Sequence, residues 1–221
     1  MKKKVVLYEE VAYLIGILLL ALGTAFSEKA NFGMSMVVAP AYLIHLKVSQ
    51  YLPWFSFGVA EYTFQAVLLI ALTLTMRKFK KGYLFSFATA VFYGIVLDLW
   101  VKAVSFIPSD TYAVRTVLFV FGMLCCSLGV AFLFNTYIAP EAYELIVKEV
   151  SSKSSFKISR VKTIYDCISC VVGIILSFTF FGMFKFVGVS YGTVICALCN
   201  GFLIGKFSGL IEKTTESKRL I

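Results

Sequence analysis

No cysteine precedes Cys125, and the 221 residues hold one histidine, four prolines and two tryptophans. A lone His45 excludes a zinc centre built on several imidazoles, and its short segment makes it an interfacial residue rather than a catalytic base. There is no H-E-x-x-H, no G-x-S-x-G and no Walker loop. The chain is therefore read as not an enzyme, and any energy it uses must come from an ion gradient or a partner. Charge is scarce as well. Asp, Glu, Lys and Arg make up 15% of the residues against 60% hydrophobic, which excludes a soluble domain.

What is abundant is long apolar sequence. Residues Val11–Ser27, Thr116–Pro140, Cys167–Phe184 and Phe186–Gly205 carry no charge, and two further runs are interrupted only by Glu61 and Asp98. About 20 residues at roughly 1.5 Å each cross a hydrocarbon core of about 30 Å. An all-α polytopic membrane protein follows, with six spans near 8–27, 53–76, 83–105, 113–136, 162–183 and 187–207. Segments 34–46 and 139–150 are too short to span and are expected as short helical, re-entrant or interfacial pieces, one in each half.

The sequence also repeats itself. Gly16–Phe26 (GILLLALGTAF) and Gly122–Phe132 (GMLCCSLGVAF) share six of eleven positions, and an Ala-Pro pair follows in each copy, at Ala39-Pro40 and Ala139-Pro140. Each copy then holds two more long apolar runs. Three spans per copy is an odd number, so the second copy must enter the bilayer from the opposite side. The expected division is 1–110 and 111–221, two inverted three-helix repeats in one membrane domain.

The net charge of +9 would admit nucleic acid, but its distribution points to lipid. With the N-terminus inside, sixteen Lys and Arg fall on the inner side, among them Lys2–Lys4, Arg77–Lys81 and Lys148–Lys162, against five outside. The positive-inside rule then places both termini in the cytoplasm of a bacterial inner membrane.

Ionisable groups inside a bilayer are costly and mark candidate pathways. Asp98, Glu61 and Asp166 are the acids in question, each with a bland alternative: a pair with Lys102, a hydrogen bond to a neighbouring helix, and an i,i+4 pair with Lys162 near the cytoplasmic interface. Gln65, Asn200 and Thr193 add uncharged polar groups to a substrate or ion pathway. Gly23, Gly33, Ser35, Pro40, Gly129, Pro140, Gly192 and Gly201 are assigned to turns and close helix packing. Inverted repeats would bring such groups together at a shared axis, where secondary transporters hold their sites. Cys167-x-x-Cys170 and Cys196-x-x-Cys199 have the spacing of a zinc tetrad, but they lie inside helices at different depths, so neither metal nor any other cofactor is expected.

Lys162–Gly182 followed by Gly188–Thr193 resembles the YczE/YyaS/YitT group of bacterial integral membrane proteins, as do the Ala30-Asn-Phe-Gly33-x-Ser35 turn and Tyr93–Leu99. Two departures stand out: Met36 follows Ser35 where the group has proline, and its Pro-Gly-Glu-like signature is reduced to Pro140 with Glu141 or Glu144. The resemblance implies a multi-pass membrane protein and names no substrate. The first expectation is a transporter of a small molecule, with proton coupling through Asp98 or Glu61. One alternative is the substrate-binding subunit of an energy-coupling-factor-type importer, because of Ala21-x-x-x-Ala25. The other is a non-transporting scaffold docking through the basic loop 148–162. Expected partners are the bilayer, an unidentified small molecule, and a second copy or partner subunit.

Overall fold

The computed structural model describes residues 5–154 and 156–219; Lys2, Lys3 and Lys4, counted above for topology, lie outside them. Among the described residues six helices are long and apolar enough to cross a membrane: α1 (Glu9–Ala30), α3 (Phe57–Met76), α4 (Lys81–Ser105), α5 (Tyr112–Phe134), α7 (Ile158–Phe181) and α8 (Tyr191–Thr214). Two short helices, α2 (Ala39–Val48) and α6 (Ala142–Lys153), follow α1 and α5. The all-α reading needs one small amendment. β1 (Val5–Tyr8) and β2 (Thr215–Lys218) pair in parallel, joining the two ends of the chain on what is here the terminal face.

Helix ends follow local chemistry. The chain turns out of α7 at Gly182 and passes Gly188 with φ at +67°, a conformation open to glycine. Ser190 and Thr193 then form a capping box, so α8 starts at Tyr191 and not near 187. The basic loop expected over 148–162 is mostly helix: α6 runs to Lys153 and α7 begins at Ile158.

α1 and α5 form the central pair. A β-carbon on Gly16 would meet the Gly129 carbonyl at 3.0 Å, and one on Gly129 would meet the Gly16 carbonyl at 2.7 Å. Gly23 and Gly122 stand in the same relation. Residue numbers rise on one helix as they fall on the other, so the two run antiparallel. In the repeat, Gly16 matches Gly122 and Gly23 matches Gly129. Each glycine therefore packs on the counterpart of the other, the mark of a twofold axis. Glycine at these four places lets the two backbones approach without side chains between them.

The ends of the two helices repeat the relation. Arg115, at the start of α5, donates from Nε to the Ala30 carbonyl (2.7 Å) and from Nη2 to the Asn31 carbonyl (2.8 Å). Glu9, at the start of α1, accepts from the Tyr137 N–H at 2.7 Å. One clasp closes the turn after α1 and the other the turn after α5, at opposite faces of the bundle.

The short helices are re-entrant. Residues 32–38 are buried throughout, and Met34 N–H donates to the Gly188 carbonyl at 2.8 Å. Val37 and Val38 border a cavity together with Leu20, which lies about 15 Å below the Ala30 end of α1 by helical rise. The chain thus turns back to mid-bundle before α2 carries it out again. α6 mirrors this from the terminal face: Ser86 Oγ donates to the Pro140 carbonyl (2.6 Å) and Thr89 Oγ1 to the Ala139 carbonyl (3.1 Å).

Candidate functional site

Burying the start of α6 brings two carboxyls into the bundle. Glu141 is its N-cap residue and Glu144 lies in its first turn, 3% and 1% exposed. The positive end of the helix favours acids there. α3 faces them with Glu61 and Gln65, one turn apart and fully buried. Gln65 holds the junction: its Nε2 donates to Glu141 Oε2 at 2.9 Å, and its Oε1 accepts from the Ala142 N–H at 2.9 Å. Tyr143 OH donates to Glu61 Oε2 at 3.0 Å. On the other flank, α7 offers Lys162, whose Nζ lies 3.1 Å from Glu144 Oε1 and 3.1 Å from Asp166 Oδ1.

The result is a continuous polar chain from Glu61 through Gln65, Glu141, Glu144 and Lys162 to Asp166. Glu61 lies about 6 Å along α3 from its start and Lys162 about 6 Å along α7 from its own start, at the other face. The chain therefore runs from the outer half of the bundle to the terminal half, buried along its whole length. Four carboxyls face one ammonium within it. Glu61 Oε1, Glu144 Oε2 and Asp166 Oδ2 have no hydrogen-bond partner. Uncompensated carboxylates are expensive in such surroundings, so electroneutrality requires bound protons or a bound cation. Burial pushes the Glu141 carboxyl well above the usual carboxylate range, with the Glu144 charge adding to the shift. One turn beyond Glu144, burial holds the Lys148 ammonium down at about 8, against the pull of Glu144 and Glu9. Lys148 donates to the Leu133 and Thr136 carbonyls and so closes the end of α5.

Beside this chain is a largely enclosed cavity of about 20 Å³, the space of one water molecule. The starts of both re-entrant helices border it, through Val38 and Glu141, together with Thr24, Ser35, Glu144 and Asn200. Thr24 bonds Tyr93 OH at 2.9 Å, and Ser127 Oγ donates to Asn200 Oδ1 at 3.2 Å.

The other residues expected in a pathway divide. Glu61, Gln65 and Asp166 join the chain, and Asn200 borders the cavity. Asp98 stands apart at the start of α3, accepting from Ser56 Oγ (2.6 Å) and the Gly58 N–H (2.9 Å). Its partner is thus a helix end and not Lys102. Thr193 is buried but engaged in the α8 capping box. Among the packing residues, Pro40 occupies the first turn of α2, Gly33 takes φ at +97°, and the Gly192 N–H donates to the Phe32 carbonyl. A β-carbon on Gly201 would meet Thr163. Cys167 is exposed, Cys170 and Cys196 are buried and Cys199 lies between. Among the described residues no three His, Cys, Asp or Glu side chains are grouped to hold a metal ion.

The sequence reading missed Glu141, Glu144 and Lys162 as members of the site. Three glutamates within 139–150 look like a solvated segment, and only the preceding Ala-Pro pair, matched in the first repeat by a buried apolar segment, hints otherwise.

A family model matches residues 7–209, from the end of β1 to the last turns of α8. The chain belongs to a family of unknown function (DUF6198). The match takes in five of the six spans and both re-entrant helices whole, and α8 up to its last turns. No curated protein and no solved structure matches the chain.

Proposed function

We propose that this protein is a secondary carrier that moves a small molecule across a bacterial inner membrane, with protons held on the buried acid chain as its coupling ion. The single observation behind this is the polar chain from Glu61 to Asp166, which joins α3 of one repeat to α6 and α7 of the other. Groups whose charge depends on a bound proton or cation sit where the two repeats meet. Rocking one repeat against the other would alternate their access between the faces. Apart from the buried Lys162, twelve described Lys and Arg residues belong to the terminal side, which favours that side as cytoplasmic. The likeness to the YczE/YyaS/YitT group belongs to this reading.

Coupling falls to Glu61, Glu141, Glu144 and Asp166, while Asp98 holds a helix end. The importer-subunit alternative loses support, because Ala21 and Ala25 are fully covered within the chain. The scaffold alternative loses most of its docking loop, since α6 runs to Lys153 and α7 begins at Ile158.

The test is proton movement in pyranine-loaded proteoliposomes when pools of small polar metabolites are added outside. Wild-type protein should give solute-dependent acidification, reduced at least about tenfold in Glu61→Gln and Glu144→Gln. Equal signals in those variants would remove the acid chain from the mechanism, and no signal from any pool would remove the carrier reading.

A further inference from the structure

On the face opposite the chain ends, a polar pocket of about 520 Å³ opens between the end of α1, α2, the end of α4 and the start of α5. Glu28, Lys29, Tyr42, Ser105, Ser109 and Arg115 border it. The guanidinium of Arg115 is fixed in place: Nε and Nη2 are tied to the Ala30 and Asn31 carbonyls, and its carbon lies 4.8 Å from the centre of the Phe32 ring. That leaves Nη1 without a partner among the described residues. Lys29 uses one proton of its ammonium on the Ser105 carbonyl at 3.0 Å and keeps two. Glu28 is different in kind: its carboxylate has no hydrogen bond or ion pair among the described residues, and only the more distant charges of Lys29 and His45 act on it. Its charge still registers on Tyr42, whose hydroxyl is pushed up to about 12 chiefly by burial and then by Glu28.

The pocket thus holds tethered cations and an anion with no directly bonded partner within one volume. A neutral ligand would leave all of these without a charged partner, and a simple anion would leave Glu28 without one. We propose that this pocket binds a small zwitterion, its carboxylate on Arg115 and Lys29 and its ammonium on Glu28. Arg115 is already ordered by its backbone contacts, so little of its freedom is lost on binding. Thr24, one turn below Glu28 on α1, borders the small central cavity. The pocket therefore stands over the acid chain as its outer subsite. As the identity of a transported substrate, the assignment rests on the carrier reading; as a binding site, it does not.

The experiment is equilibrium binding to the full chain in detergent, read as the shift in unfolding midpoint followed by the fluorescence of Trp54 and Trp100. The probes are alanine, β-alanine and γ-aminobutyrate, whose charges lie progressively further apart, with propionate and propylamine as single-charge controls. At least one zwitterion should give a saturable rise at a concentration about tenfold lower than either control. Glu28→Gln should fold normally and lose that preference, while Lys29→Gln should weaken zwitterion and propionate alike. No probe shifting the midpoint would overturn the proposal, and so would propionate matching the zwitterions in wild-type protein. Binding without flux in proteoliposomes would sink the carrier reading and leave this site standing. Flux with wild-type affinity in Glu28→Gln would do the reverse.

Discussion

Lys162 is counted most naturally among the basic residues that set topology, yet its side chain is 2% exposed and lies between Glu144 and Asp166. The i,i+4 pair with Asp166 was legible; its depth was not, because only α6 folding back into the bundle supplies the second carboxyl and the cover. Removing one member of a buried ionic group leaves the others uncompensated. Lys162→Met is therefore expected to cost about 3–5 kcal/mol of stability, measured as a lowered unfolding midpoint in detergent. Adding Glu144→Gln and Asp166→Asn should recover much of the loss. The same region sets pH dependence. Unfolded lysine keeps its proton to about 10.4, whereas Lys148 in the folded chain releases it at about 8. Between those values the unfolded chain binds more protons, so this residue makes stability rise with pH. Glu141 acts with the opposite sign. Its folded carboxyl holds a proton that the unfolded one gives up near about 4.3, so its contribution is complete below that pH and is lost as pH rises. Midpoints measured from pH 5 to 10 should show the alkaline rise vanish in Lys148→Met and the decline at lower pH shrink in Glu141→Gln.

Helix existence and order were readable from apolar run length, and the Gly16/Gly122 repeat gave the architecture. Two things were not readable. Segment 34–46 has little periodic pattern to show which way it points, and the glutamates of 139–150 give it the look of a solvated amphipathic helix, whose burial depends on contacts with Ser86 and Thr89 on α4. Asp98 looked like a pathway acid because sequence shows its depth and not its neighbour, the start of α3. The elements themselves offer a paired test. Gly129→Leu would force α1 and α5 apart and should lower stability by at least about 1–3 kcal/mol. Gly82 lies in the first turn of α4 with nothing within 4 Å of a would-be β-carbon. Gly82→Ala should accordingly be neutral or stabilise by up to about 1 kcal/mol. Similar losses at both sites would contradict the helix packing described above.

At the scale of the molecule, the two clasps differ in chemistry while matching in position. Arg115 grips carbonyls after α1 and Glu9 grips an N–H after α5. The terminal clasp is reinforced by Tyr137 OH on Glu10 and by Arg219, which lies 3.9 Å from Glu9 and over the Tyr137 ring. The opposite clasp stands beside the open pocket. In a cysteine-free background, a disulfide between Glu9→Cys and Tyr137→Cys should hold the terminal side shut. Solute-driven flux in proteoliposomes should stop on oxidation and return on reduction; flux indifferent to the crosslink would show that this face does not open.

The glycine contacts between α1 and α5 also fix an order of events during synthesis. α1 leaves the ribosome first, but the helix its bare backbone was shaped to meet is made only after four others. Insertion into lipid must therefore run ahead of assembly, with the first repeat waiting in the membrane for the second. A fragment ending at Ser105 should insert yet be degraded when expressed alone, and survive when the remainder is supplied as a separate chain.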